Sequence, residues 1–152
     1  VDDPVEADAL TVGSWNVLED IAIADCALEI HGADLADLFA TAARALADAM
    51  VDPATVARDV ERTVSLQARA RDLLLHEWLS ELIVLKDSER LVFPDAVVTI
   101  REDPPALTAR LTGGRIDPAR TVRRADPKAV TFHQFTLEPR GTGWYARLVI
   151  DI

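Results

Sequence analysis

The sequence predicts an α+β fold: a mixed or antiparallel β-sheet with two helices packed on one face. Three observations lead there. The stretches Leu35–Met50 and Leu74–Leu85 carry apolar residues at helical spacing. Other stretches alternate apolar and polar residues or are rich in β-branched ones, which reads as strand. The order is β-α-β-α followed by a run of strands, not the steady alternation of a βαβ fold.

In chain order, residues 24–30 set Ala24, Cys26, Leu28 and Ile30 on one face and Asp25, Ala27 and Glu29 on the other, a half-buried strand that Gly32 ends. Asp34 then caps a helix whose stripe is Leu35, Leu38, Phe39, Ala42, Ala43, Leu46 and Met50. Asp52-Pro53 stops it, because a residue before proline is pushed out of the α region. Val60, Val64, Leu66 and Ala68 read as a strand, with Arg62 against the pattern. A second helix is expected from about Asp72 to Leu85. Its stripe is Leu74, Trp78, Leu82 and Leu85, flanked by Leu75, Leu79 and Ile83.

After Lys86-Asp87-Ser88 the character turns to β: Leu91–Phe93, Ala96–Arg101, Leu107–Thr112, Lys128–Leu137 and Gly143–Asp151. Gly113-Gly114 and Gly141-Thr142-Gly143 supply turn chemistry, and neither sits in the strand–loop–helix setting of a phosphate cradle. Residues 115–127, with two prolines and four arginines, are the longest irregular stretch. No repeat or linker divides the chain, so one domain over residues 1–152 is expected, frayed through residue 12.

A chain of 152 residues can bury one core. Its apolar runs are broken by charges well short of the ~20 residues of a membrane helix. Val1–Ala9 holds four acidic residues and no basic one, the opposite of a secretory or mitochondrial leader, so a cytoplasmic location is expected. The single cysteine, Cys26, excludes an internal disulfide and a thiolate zinc cluster, and reads as a core thiol. With 26 carboxylates against 16 cations and a net charge of −10, the chain is not built for strong direct binding to nucleic acid. An acidic surface suits either plain solubility or encounter with a basic partner protein. The oligomeric state stays open, a homo-oligomer included.

Three stretches resemble the archease family. The first is Ala24-Asp25, then Gly32 and the helix from Asp34-Leu35-Ala36-Asp37-Leu38-Phe39 to Met50-Val51-Asp52. The second, Leu73-Leu74-Leu75-His76-Glu77-Trp78-Leu79-Ser80-Glu81-Leu82, is similar to the family's LL-x-x-WL-x-EL helix. The third and most specific is Lys128-Ala129-Val130-Thr131-Phe132-His133, similar to the family's KAVTYH signature, followed by Gly143-Trp144 and the terminal Val149-Ile150-Asp151-Ile152. One departure stands out. The family's His-Thr-Ala-Asp block is Ala22-Ile23-Ala24-Asp25 here, which keeps the aspartate and lacks the histidine unless a two-residue insertion aligns Asp20 with it.

The resemblance implies a protein activator of RtcB-type RNA-splicing ligases rather than an enzyme. Such a protein promotes guanylylation of the ligase and its multiple turnover in tRNA splicing and RNA repair. It implies a divalent ion on Asp25 and Asp151, which match the family's metal-site acids. If the first and last strands are neighbours, the terminal carboxylate of Ile152 would join them, and such oxygen ligands suit the hard cations Mg²⁺, Mn²⁺ or Ca²⁺. Lys128 matches a lysine implicated in the family's function and is otherwise a solvated strand-end lysine. His133 is a further candidate, set against a packed, hydrogen-bonded histidine on an apolar strand. His31 and His76 have no spacing partner for a metal pair and read as structural. Glu77 and Glu81 read as a solvated helix face. Two alternatives stand beside the activator: a chaperone-like adaptor of nucleic-acid-processing proteins, and a stand-alone metal-dependent phosphoesterase using the same acids.

Overall fold

In the computed structural model, residues 12–18 and 25–152 are described. The start expected to fray lies outside them, Val12 apart, as do Asp20, Ala22 and Ala24. The elements are β1 (Ser14–Leu18), β2 (Asp25–Gly32), α1 (Leu35–Met50), a 3₁₀ turn (Pro53–Thr55), β3 (Val60–Gln67), α2 (Arg71–Glu89), β4 (Leu91–Glu102), β5 (Pro105–Arg115), β6 (Ala129–Arg140) and β7 (Gly143–Asp151). They form two antiparallel sheets, one of four strands in the order β1-β2-β7-β6 and one of three in the order β3-β5-β4.

Both helices form as their periodicity predicts. The Asp34 carboxylate accepts the Asp37 amide at 2.7 Å, which satisfies one of the free N–H groups of the first turn of α1. Leu38, Phe39, Ala42 and Leu46 are fully buried, and so are Leu74, Leu75, Trp78 and Leu79 of α2. The Trp78 indole N–H donates to the Phe39 carbonyl at 3.0 Å, so the largest core side chain is also satisfied as a donor. Each helix touches strands of both sheets, and one apolar cluster joins Leu28, Ile30, Leu148 and Ile150 of the first sheet to Leu107, Ala109 and Leu111 of the second. The single sheet expected from sequence is therefore two, with the helices shared between them.

Other boundaries shift for identifiable reasons. α2 does not end at Leu85 but continues through Lys86-Asp87-Ser88 to Glu89, where Arg90 closes it in the left-handed conformation (φ 57°) and donates back to Leu85 and Lys86. Lys86 is buried, so a charged residue that reads as a helix end lies on the packed face. Arg62, the exception in the β3 pattern, points the same way as Val60, Val64 and Leu66 and donates to Glu89 at 2.9 Å. The two expected strands before residue 102 are one, β4, bulged between Val92 and Asp95 around Pro94. Gly113-Gly114 is no turn: both lie inside β5, where a Cβ on Gly113 would come within 2.0 Å of the Val92 carbonyl oxygen. The Gly141-Thr142 turn between β6 and β7 is as expected, with Gly141 at φ 61°. β1 was not anticipated from sequence.

Candidate functional site

β2 and β7 lie side by side in antiparallel register, and that register sets Asp25 directly opposite Asp151. Cross-strand partners share a face with Cβ atoms about 5 Å apart, and like charges in that position repel. Among the described residues no salt bridge engages either carboxylate. Asp25, Asp151 and Ile152 are all half-buried.

On its other side Asp151 pairs with Ala129, and its carbonyl accepts the Lys128 amide at 2.7 Å. The sheet thus brings Asp25, Asp151, Ile152 and the backbone of exposed Lys128 to one end of three adjacent strands. The face is less polar than the alternation of residues 24–30 suggests: Ala27 and its partner Val149 lie on it and are buried. Thr131, opposite Val149, keeps a buried Oγ1 without a hydrogen-bond partner among the described residues.

The donor set fits a hard cation. Two facing carboxylates suit an ion that completes its shell with water, as Mg²⁺ commonly does. Among the described residues no three His, Cys, Asp or Glu side chains gather around such a position, so the arrangement is an open pair rather than a closed cage. Cys26 packs half-buried against the core, and burial raises its thiol pKa, which suits the inert core thiol expected.

The histidines separate. His76 is structural, as expected: its Nε2 lies 2.7 Å from the Val130 carbonyl and its ring stacks on Phe132 at 4.0 Å. His31 packs against Tyr145. His133 is not the packed, hydrogen-bonded residue its strand position suggests. It is exposed, because β6 leaves its register with β7 between Thr131 and Thr136, with Gln134 at φ 54°.

The sequence reading missed Lys86. Its ammonium donates to the Asp126 carboxylate and to the Pro127 carbonyl at 2.6 Å, and lies 3.0 Å from the Asp87 carboxylate. The signal was present, since Lys86 follows Leu82 by one helical turn on the buried stripe. Lys86, with the Asp126 charge partners Arg123 and Lys128, holds the Asp126 carboxyl below its ordinary value.

An open groove of about 490 Å³ lies at the opposite end of β7, beside Trp144. Its Arg71 is already engaged by Glu102 and by the Trp144 ring.

The Archease protein family (MTH1598/TM1083) matches residues 15–152. The chain belongs to the archease family. Protein archease of Archaeoglobus fulgidus is 36% identical over 132 residues, covering 85% of this chain and 93% of that protein. Protein archease of Sulfurisphaera tokodaii is 31% identical over 129 residues, with the same coverage. The solution structure of Methanobacterium thermoautotrophicum protein 1598 superimposes with a TM-score of 0.76 at 29% identity, covering 91% of this chain and 98% of that one. A Thermotoga maritima crystal structure, described as an archease and possible chaperone, shares the fold at TM-score 0.62 and 19% identity, covering 90% and 98%. In this archease, no helix among the described residues is long and apolar enough to cross a membrane.

Proposed function

We propose that this archease activates an RtcB-type RNA ligase, and that the Asp25–Asp151 end of the four-stranded sheet is the part that acts. One observation carries the reading: two carboxylates stand as direct cross-strand partners without a cation paired to either among the described residues. A fold has no use for that repulsion, and departures of this kind concentrate where function requires them.

Asp25, Asp151 and the main chain of Ile152 would hold the divalent ion. When bound, such an ion supplies positive charge that offsets the negative charge developing during nucleotidyl transfer. The chain's own residues do the rest. The β2–β7 register holds the two acids together. The Lys128 amide on the Asp151 carbonyl fixes the exposed lysine beside them, where its ammonium would meet a phosphate or an acidic group of the partner.

The test is guanylylation of a cognate ligase by GTP with and without this protein. Wild type stimulates; Asp25→Ala and Asp151→Ala each lose most of the stimulation. No stimulation by wild type contradicts the activator reading. The Thermotoga maritima relative's description favours a second reading, a chaperone-like adaptor without a metal role. Under it, both aspartate variants would support the partner as well as wild type does.

A further inference from the structure

The segment that delivers Lys128 has little regular structure of its own. Between β5 and β6 the chain is pinned to the end of α1 by main-chain bonds, Asp52 to Val122, Arg124 to Met50 and Ala125 to Ala49. Beyond Ala125, the hydrogen bonds of Asp126 and Pro127 among the described residues run to one donor, the ammonium of Lys86. Two residues later the Lys128 amide reaches Asp151.

Further along, His76 meets the Val130 carbonyl. Residues 76 and 86 stand about 15 Å apart along α2. The helix therefore clamps the start of β6 on both sides of Lys128. An apolar residue of the same volume would fill the Lys86 position at no cost in desolvation. Only a donor holds the Asp126 and Pro127 oxygens.

We propose that Lys86 is a positioning residue for Lys128, its buried ammonium fixing the Asp126-Pro127 segment and so the place of Lys128 beside Asp25 and Asp151. The importance of that place rests on the proposed ligase-activating reading; the brace itself does not. Backbone amide hydrogen exchange separates the two.

In Lys86→Met, which keeps the volume and removes the donor, the Lys128 amide exchanges at least about tenfold faster, while Leu28 and Leu148 keep their protection. Asp126→Ala, a change at an exposed side chain that leaves every apolar core contact in place and the Pro127 carbonyl and Asp87 still beside the Lys86 ammonium, gives the same selective loss and stands in if Lys86→Met does not fold. Unchanged exchange at Lys128, or equal acceleration at all three amides, overturns the proposal.

Guanylylation is measured on the same proteins. Under the proposed reading, Lys86→Met lowers stimulation toward the level of Lys128→Ala. If Lys128→Ala stimulates like wild type, the ligase role of Lys128 fails, while the exchange result still decides the brace.

Discussion

At the scale of single residues, the chemistry near the site turns on which charges are paired. Asp25 and Asp151 face each other without a cation among the described residues, whereas Asp126, 63% exposed, is drawn to a lysine that is only 6% exposed. The Lys86 hydrogen bond and charge lower the Asp126 pKa, with help from Arg123 and Lys128. A carboxyl whose folded value is depressed adds stability above its unfolded value, and that stability is lost as pH falls through the folded one. The contact therefore persists through neutral pH and releases below the ordinary aspartate value of about 3.9. Followed by the NMR shift of the Asp126 carboxyl carbon, the transition has its midpoint under that value in wild type and moves up toward it in Lys86→Met. A midpoint at or above it would show that the pair does not form in solution.

At the scale of elements, what was legible in the sequence was what local physics decides. Periodicity gave both helices, the Asp34 cap and the Pro53 stop, because these depend on neighbours a few residues away. Lys86 and Arg62 misled for one reason: each is a cation on the inward side of its element, Lys86 buried and Arg62 half-buried, paired with a carboxylate 40 or 27 residues distant. Gly113-Gly114 misled because glycine serves two ends, turning a chain and admitting a close backbone. Gly113 does the second. With Val92 carbonyl oxygen at 2.0 Å and Phe93 Cα at 2.7 Å from an added Cβ, backbone rather than a movable side chain stands in the way. Gly113→Ala should lose about 2–3 kcal/mol of unfolding free energy in urea titrations, at the upper end of overpacking costs. A loss under about 0.5 kcal/mol would show that the β4 bulge yields.

At the scale of the whole molecule, the site is a product of topology. Asp25 and Asp151 are the first residue of β2 and the last of β7, and only the strand order β1-β2-β7-β6 makes them neighbours. No spacing in the sequence states that pairing; the family resemblance named the residues, and the register supplies the reason they meet. The net charge of −10 acts at the same scale. If it steers this archease to a basic ligase, association measured without RNA should slow several-fold between about 0.1 M and 1 M salt, as the screening length falls from about 10 Å to 3 Å. Rates indifferent to salt would remove the steering while leaving the site in place. The measurement closest to the central claim is calorimetric titration of the purified protein with Mg²⁺, Mn²⁺ and Ca²⁺, alongside Asp25→Asn and Asp151→Asn. The account predicts one ion per chain, with affinity reduced at least about tenfold in each variant. No binding by wild type, or binding that survives both changes, would contradict it.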